Sequence, residues 1–413
     1  MRDALRRLTG RFRRGPVDWR EPDTPRLLFV SHEASRTGAP KIILNLLKYF
    51  REATGVPCET ILHNGGHLVG EFAACSTVHC LDLPRRADEN LQRRMAKLVQ
   101  RQLRGRPLLA VCNSMESRFI AQELHRHQLP ILFLVHELPS SYTVADFEMV
   151  YRVSQQVIFP VETVRESVLQ KAPWDADRCC VLPQGLLNPD FAANVDRTTA
   201  RQMVCAELGL PLDSLIVLGC GTLDLRKGID HFANAARDLI RGSDLERPIH
   251  CVWLGDGPRW THSAHHYVEM DLVRSGIRPQ VHFVGERATV DPYFVAADAF
   301  FLSSRVDPFP CVVHEAMAAG LPVVAFEQTG GAAEAILSLA RQPLAAERIR
   351  RIARTRVRER YRFNDYAENV LQRTEACLGR PLPRVAPPPQ TRSSSAATLS
   401  EAKSLPPNLR RAA

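Results

Sequence analysis

Short apolar segments alternate with helical ones along most of the chain, and this alternation restricts the possible folds more than any other feature of the sequence. In the first half, the predicted strands and helices span residues 26–30, 41–52, 59–63, 91–104, 108–113, 118–127, 131–136 and 157–161, and a helix begins at Glu162. In the second half they span residues 214–220, 231–240, 250–254, 282–285, 297–302, 311–319 and 322–326. Repeated strand, helix, strand units favour parallel sheets covered by helices on both faces. The sequence therefore predicts an α/β protein with two Rossmann-like, doubly wound domains that face each other across a cleft and bind ligands at the carboxyl ends of their strands.

Composition and charge narrow the class of protein. The chain has 413 residues, of which 45% are hydrophobic and 24% are charged, so most of it is expected to be globular. Its formal net charge is +9, with arginines concentrated in the first twenty residues and in residues 341–362. A basic protein can bind nucleic acid, an anionic membrane or phosphorylated ligands. Because no basic motif is interleaved with aromatic residues, no nucleic-acid partner is expected.

The cysteines and the N-terminal residues indicate the cellular compartment in which the protein is expected. Eleven cysteines are scattered without a C-x-x-C pair, and no histidine cluster has the spacing of a zinc site, so no metal ligands are predicted. An odd number of cysteines within apolar segments is typical of reduced, packed thiols in a cytoplasmic protein. Residues 1–15 lack the apolar core of a signal peptide, and no apolar run approaches the roughly 20 residues of a membrane span.

The basic N-terminal arm, residues 1–20, has two interpretations. With Leu5, Leu8 and Phe12 on one side, it would form a short helix that contacts anionic lipid headgroups. Its composition favours the alternative, a disordered basic arm. The first interpretation would place the protein at the inner face of a membrane as a peripheral protein.

Residues 303–334 contain the most informative candidate site. A polar, proline-broken loop leads into an apolar helix that begins near Cys311, and a strand and the turn at Gly330-Gly331 follow. A helix N-terminus suits a phosphate or sugar hydroxyls, because its amides carry partial positive charge. Asp307 and Glu315, with seven residues between them, could accept hydrogen bonds from a polyol beside that phosphate. The spacing alone is equally compatible with an ordinary crossover, in which Asp307 is a helix N-terminal acid and Glu315 lies on a solvated face.

Two adjacent cations form a second candidate. Arg226 and Lys227 stand directly before Gly228 and the start of a predicted helix. Two cations and helix amides at one place can neutralise a diphosphate together. The alternative interpretation is a basic surface turn, and the motif by itself does not decide between the two.

The first half contributes a glycine loop and a histidine. Gly38 lies where a strand passes into a helix, so amides there could meet an anion or a sugar, although a lone glycine loop is weak evidence. His136 follows five apolar residues at the end of a predicted strand and could face a cleft. The alternative for His136 is a structural residue that closes the strand, and Glu137 beside it is either a second cleft group or a loop acid.

The segment D-P-F-P-C-V-V-H-E-A-M-A-A-G-L-P-V-V-A, followed by G-G and a further glutamate, resembles the donor-nucleotide signature of retaining glycosyltransferases of family 4, which have the GT-B fold. The segments T-G-A-P, H-E-L-P, V-L-P-Q-G and G-D-G-P are similar to other segments of that family, so that the resemblance covers roughly residues 26–378. It implies transfer of a sugar, with retention of configuration, from a nucleotide-diphosphate donor bound by the second domain to a glycan or glycolipid acceptor bound by the first. No metal and no cofactor beyond the donor is implied.

The resemblance also implies roles for individual residues. Lys227 would contact the donor phosphates, with Arg226 supplying a second cation because Thr222 stands where the family has an arginine. Glu315 would hold the ribose, and Asp307, which replaces the more usual glutamate, would orient the sugar together with His136. The remaining contacts to the donor would come from the Gly38 loop and from the segment Phe309, Pro310, Cys311 and Val312.

The predicted domains are a basic arm (1–20), an acceptor domain (21–192), a donor domain (193–362), a helix that packs back on the first domain (363–378) and a disordered tail (379–413). After Glu334 the family normally continues with a glycine-rich turn, a short strand and a helix, whereas this chain passes almost at once into a basic helix. Two rival functions remain. One is an epimerase or phosphorylase of the same plan, although no pyridoxal-binding lysine motif is present, and the other is a catalytically weak GT-B scaffold that binds nucleotide or partner glycosyltransferases.

Overall fold

The computed structural model describes residues 26–82, 107–171, 174–326 and 332–385. The basic arm, the predicted helix 91–104 and the Gly330-Gly331 turn lie outside these ranges. Two parallel sheets with flanking helices confirm the predicted α/β class.

The first sheet has seven strands in the order β3-β2-β1-β4-β5-β6-β7. Its strands are β1 (Arg26–Ser31), β2 (Cys58–Leu62), β3 (Thr77–Cys80), β4 (Pro107–Asn113), β5 (Ile131–Leu134), β6 (Gln156–Phe159) and β7 (Cys179–Val181). The accompanying helices in the described residues are α1 (Gly38–Thr54), α2 (Val69–Cys75), α3 (Arg118–Arg126), α4 (Val144–Val153) and α5 (Glu162–Leu169). β1 pairs in parallel with both β2 and β4, so the strand order of this sheet reverses between β1 and β4.

Continuous burial explains why these segments form central parallel strands. Every residue of β1 is buried, as is every residue of β5, which is expected where helices cover both faces of a sheet. Helix α1 packs its apolar side on β1, with the Phe29 and Phe50 rings meeting edge to face at 5.5 Å. Gly55, in the left-handed region at φ +66°, ends α1.

The second sheet has five strands in the order β10-β9-β8-β11-β12. Its strands are β8 (Leu215–Cys220), β9 (Ile249–Leu254), β10 (Val281–Gly285), β11 (Ala299–Leu302) and β12 (Val323–Ala325). The helices of this half in the described residues are α6 (Arg197–Leu208), α7 (Ile229–Gly242), α8 (Ala264–Arg274), α9 (Asp291–Ala296), α10 (Cys311–Ala318), α11 (Ala332–Arg341), α12 (Pro343–Arg360) and α13 (Phe363–Leu378). β8 pairs in parallel with β9 on one side and with β11 on the other. The strand order therefore reverses between β8 and β11, which is where open α/β sheets form their ligand sites.

The core beneath this sheet is aromatic. The Phe232 ring lies 5.1 Å from the Trp253 ring and 6.2 Å from the Phe301 ring, measured between centroids. A Cβ on Gly219 would lie 2.6 Å from the Trp253 ring and 2.7 Å from the Phe232 ring. Glycine in the middle of β8 thus lets two large rings pack on the strand that leads to the candidate site.

After the second sheet the chain lacks the additional short strand of the family that it resembles, as the sequence indicates for the described residues 332–385. Helices α11, α12 and α13 follow one another through residues 332–378, and no strand interrupts them within the described residues 332–385. The described chain continues past α13, where Leu382 is buried and the Val385 amide donates to the Ala53 carbonyl at 2.8 Å. Within residues 379–385 of the predicted tail, Leu382 is therefore packed, whereas the residues on both sides of it are exposed.

The described chain forms two compact units. One contains the residues up to Val135, Val144–Ile158 and the chain from Leu371, and the other contains His136–Thr143 and Phe159–Val370. His136 thus belongs to the same unit as the second sheet. All eleven cysteines are free thiols. Among the residues that the structure describes, no helix combines the length and the apolar composition needed to span a lipid bilayer.

A histidine pair on two neighbouring strands predicts acid sensitivity. His250 Nδ1 and His282 Nε2 lie 3.1 Å apart on β9 and β10. Burial lowers the pKa of both, and with His250 and Arg278 nearby the pKa of His282 falls to about 4. The folded chain thus binds fewer protons than the unfolded chain between about pH 6.5 and 4, so the free energy of unfolding should decrease as the pH falls through that window.

Urea unfolding at a series of pH values measures this effect. His63 and His314, whose pKa values burial also lowers to about 4, contribute to the same trend. The variant His282→Asn should therefore flatten the dependence in part, and equal pH slopes for the variant and the parent protein would contradict the assignment.

Candidate functional site

The candidate site is built by two loops that follow neighbouring strands. The β8 loop (residues 221–228) leaves the carboxyl end of β8, and the β11 loop (residues 303–310) leaves the carboxyl end of β11. Because β8 and β11 are paired, the two loops start side by side. The Arg305 amide donates to the Arg226 carbonyl at 2.9 Å. Two motifs that lie 80 residues apart in the sequence therefore form one structure.

Lys227 and Asp307 meet at the centre of this structure. Lys227 Nζ lies 2.5 Å from Asp307 Oδ2, and only 16% and 14% of the two side chains are exposed. Ser304 Oγ lies 3.4 Å from the same carboxylate oxygen, and Ser303 Oγ donates to the Lys227 carbonyl at 3.1 Å. The Lys227 amide donates to Asp224 Oδ1 at 2.7 Å. The lysine is thus held at both its backbone and its ammonium group.

Arg226 and Arg305 occupy the outer part of the two loops. Arg226 is exposed, and its guanidinium donates to the Val306 carbonyl at 3.3 Å. Arg305 forms a bidentate ion pair with Asp230, with N–O distances of 2.7 and 2.6 Å. Asp230 lies in the first turn of α7. This pair raises the pKa of Arg305 and lowers that of Asp230. It ties the β11 loop to the helix that follows the β8 loop, and nothing in the sequence pattern indicated it.

Gly228 is required by the contact between the loops. It has φ +72°, and a Cβ at this position would lie 1.9 Å from the Ser303 carbonyl oxygen. An L-residue would be strained in this backbone conformation and would also collide with the β11 loop. The glycine after Arg226-Lys227 therefore allows the close approach that positions the lysine.

Helix α10 begins directly after the β11 loop. Its N-cap is Pro310, which has no side-chain hydrogen bond to the first turn. Cys311 and Val312 occupy that first turn, and Glu315 lies partly buried in the second. A helix start of this kind presents backbone amides and the positive end of the helix dipole beside the Lys227 ammonium group. The arrangement offers a lysine, an exposed arginine and helix amides to a diphosphate, with the carboxylates of Asp307 and Glu315 nearby for hydroxyl groups.

His136 has a partner that the sequence analysis missed. Its Nδ1 lies 2.7 Å from Nε2 of Gln184, which is 3% exposed, and its backbone amide donates to the Glu137 carboxylate at 2.9 Å. The V-L-P-Q-G segment was identified as a family feature, but no signal in it pointed to a contact with a histidine 48 residues earlier.

Gly38 belongs to the other compact unit. It is the first residue of α1, after the N-cap Thr37, and so lies beyond the carboxyl end of β1. The Asn113 side chain, at the end of β4, donates to the Ala39 carbonyl at 2.9 Å. The structure thus brings Lys227, Asp307 and the start of α10 together, and places Gly38 at the corresponding strand-order reversal of the first sheet.

Comparison with known proteins identifies the domain that carries this site. Residues 214–354 match the family model described as glycosyl transferases group 1. A D-inositol 3-phosphate glycosyltransferase of Xylanimonas cellulosilytica is 30% identical over 181 residues, which are 43% of this chain and 42% of that protein. The lipopolysaccharide core biosynthesis glycosyltransferase LpsD of Rhizobium meliloti is 31% identical over 126 residues, which are 30% of this chain and 33% of that protein. The chain thus matches less than half the length of these curated relatives.

Solved structures share the fold over almost their whole length. Anabaena HepE, crystallised with UDP and glucose, superposes with a TM-score of 0.72 at 17% identity and covers 85% of this chain and 99% of its own. WaaG, a glycosyltransferase involved in lipopolysaccharide biosynthesis, superposes with a TM-score of 0.65 at 14% identity and covers 83% of this chain and 98% of its own. Residues 214–354 thus match the glycosyl transferases group 1 family model, and the chain that carries them has the GT-B fold.

Proposed function

We propose that this protein is a retaining glycosyltransferase that moves a sugar from a nucleotide-diphosphate donor to a glycan or glycolipid acceptor. The observation that carries the proposal is the contact between Lys227 and Asp307 beside the N-terminus of α10, at the point where the strand order of the second sheet reverses. HepE, of the same fold, was crystallised with UDP-glucose, so UDP-sugars are the first donors to test.

In this proposal the second sheet's loops stabilise the leaving group. The acceptor hydroxyl oxygen bonds to the anomeric carbon, the bond from that carbon to the diphosphate breaks, and the hydroxyl proton leaves with the diphosphate. Lys227, Arg226 and the backbone amides of Phe309, Cys311 and Val312 would meet the charge that develops on the diphosphate, which is a preorganised electrostatic contribution. Because these groups supply the positive charge, we propose that the reaction needs no metal ion.

The carboxylates and the histidine would bind the remainder of the donor. Glu315 would accept hydrogen bonds from the ribose hydroxyls, while Asp307 would both hold Lys227 and contact the sugar. His136 would donate to a sugar oxygen. Gly38 would contribute backbone amides in the first domain.

The acceptor and the location remain parts of the proposal. The relatives include proteins named for lipopolysaccharide core biosynthesis and teichuronic acid biosynthesis, which support a glycan or glycolipid acceptor. A cytoplasmic protein that reaches such an acceptor at the inner membrane face fits the basic composition of the chain.

A catalytically weak scaffold is the second candidate, because α11 to α13 follow β12 without a further strand in the described residues 332–385 and because Asp307 is one methylene shorter than the usual glutamate. A panel of UDP-, GDP- and ADP-sugars separates the two, with binding followed by calorimetry and nucleotide release by mass spectrometry. Turnover of any donor, lost in Glu315→Ala, supports the transferase. Binding of a donor without hydrolysis or transfer across the whole panel supports the scaffold.

A variant of Gln184 tests the role of His136. The Gln184 amide nitrogen donates to His136 Nδ1, which leaves the hydrogen of the neutral ring on Nε2. Replacement by glutamate should favour the protonated ring, because a carboxylate accepts from Nδ1–H. We therefore expect Gln184→Glu to move the His136-dependent limb of the kcat/KM profile to higher pH, whereas Gln184→Asn, which adds no charge, should leave that limb at its original pH. Identical profiles for all three proteins would refute a positioning role for Gln184.

A further inference from the structure

A cavity of about 280 Å³ lies between α10 and α12. Its walls include Phe309, His314, Met317, Arg356, Arg360 and Tyr361. Along α10, Met317 lies nearly opposite Glu315 and His314 lies about a quarter turn from it, because successive residues turn by about 100°. The cavity therefore opens on a different face of α10 from Glu315, although Phe309 and Pro310, which line it, also belong to the segment proposed to contact the donor.

Three rings form the apolar wall. The His314 ring centroid lies 4.8 Å from that of Phe309 and 5.1 Å from that of Tyr361, and the Phe309 and Tyr361 centroids are 6.4 Å apart. Met317, whose flexible thioether adapts to irregular partners, completes this wall. A compact apolar group would replace water here at a favourable free energy.

His314 has an unsatisfied polar atom at this wall. Only 5% of the residue is exposed, and burial lowers its pKa to about 4, so the ring is neutral at physiological pH. Its Nδ1 is buried and makes no hydrogen bond within the described part of the chain. A buried polar atom without a partner destabilises the folded chain, and a bound polar group would remove that cost.

The opposite wall is cationic. Arg356 and Arg360 are one turn apart on α12, so their side chains project from the same side of the helix. Residues 348–362 contain eight arginines and one acid, Glu359, and Arg362 pairs with Asp365 just beyond them. Like charges at this spacing repel each other, so an anion that contacted both guanidinium groups would be bound favourably.

We propose that this cavity binds an amphipathic anion, with a phosphate or carboxylate head between Arg356 and Arg360 and a short apolar body against Phe309, Met317 and Tyr361. The volume is at the lower end for small-molecule sites, roughly 300 Å³ and above, which favours one compact chain over a complete lipid. Binding does not depend on the proposed transferase activity. An effect of the bound anion on sugar transfer rests on the proposed function, because Phe309, which lines the cavity, belongs to the β11 loop that also carries Asp307.

Calorimetric titration with octyl phosphate, a soluble amphipathic anion, tests the proposal on the full chain. We expect saturable binding that the double variant Arg356→Gln/Arg360→Gln weakens tenfold or more. The variant Arg351→Gln, an exposed arginine of the same helix that does not line the cavity, should bind as the parent does. Equal binding of octanol, no binding of octyl phosphate at millimolar concentration, or equal loss in Arg351→Gln would overturn the proposal.

Two further variants and a vesicle-binding assay complete the test. Val313→Phe fills the cavity without removing charge and should also abolish binding, whereas Lys227→Ala should leave it intact. A failure of the transferase proposal therefore does not affect this test. Cosedimentation with phosphatidylglycerol vesicles identifies the source of the anion. Loss of cosedimentation in the double arginine variant assigns a lipid headgroup, and unchanged cosedimentation assigns a soluble ligand.

Discussion

Replacement of Lys227 by alanine is expected to lower sugar transfer at least a hundredfold, corresponding to about 3 kcal/mol of transition-state stabilisation. The ammonium group lies within a partly buried contact with Asp307, next to the start of α10. In such an environment a cation interacts more strongly with a developing diphosphate charge than it would in water. The measurement is kcat/KM for the best donor of the panel, together with donor affinity.

Two controls distinguish the loss of a cation at the diphosphate from structural damage to the β8 loop as the cause of lower activity in Lys227→Ala. Lys48→Ala removes an exposed lysine that pairs with Glu71 in the other unit, and should keep the parental rate. If Lys227 served only to neutralise its partner, the double variant Lys227→Ala/Asp307→Asn would recover the activity lost in Lys227→Ala. An unchanged rate in Lys227→Ala, or recovery in the double variant, would refute the assignment of Lys227 to the phosphates.

The second large effect is expected from Gly228→Ala, which should lower the free energy of unfolding by about 3 kcal/mol or more. Part of this cost is the left-handed backbone at φ +72°, which any L-residue adopts with strain. The larger part is the overlap of the new Cβ with the Ser303 carbonyl oxygen, at 1.9 Å. Relief of that overlap would separate the two loops, so donor binding should weaken as well.

Gly209→Ala is the matched control. Gly209 has φ +67°, nearly the same conformation, but a Cβ there would meet no atom within 4 Å. It should therefore cost only the conformational strain, about 1 kcal/mol, and leave donor binding unchanged. Urea unfolding of both variants measures the difference, and equal losses of stability would show that the contact between the loops does not require glycine.

Much of the architecture could be predicted because the signals are local. The strands of both sheets are short, buried apolar segments, and the structure places β1, β4, β8 and β9 within one or two residues of the predicted bounds. The strand-order reversal between β8 and β11 explains why motifs around Lys227 and Asp307, both predicted as donor contacts, lie together. The basic helix and the helix at residues 363–378 were also predicted, whereas α11 (Ala332–Arg341) was not.

The contacts that were missed are all between side chains distant in the sequence. Gln184 meets His136, and Arg305 meets Asp230, although neither residue has an unusual local setting. The ring wall of Phe309, His314 and Tyr361 likewise combines the signature segment with the end of α12. Such pairs depend on how strands and helices pack, and the local sequence pattern does not indicate that packing.

The sequence by itself determined the α/β class, most strands of the two sheets, and the glycine and charged residues that stand at strand ends. It did so because burial, helix periodicity and the conformational freedom of glycine act over a few neighbouring residues. Only the tertiary structure decided which of those strand ends share a site, that Lys227 is paired with Asp307, and that a cationic cavity lies behind α10. Those properties arise from the pairing of β8 with β11 and the packing of α12 on α10, which join residues that the chain itself keeps far apart.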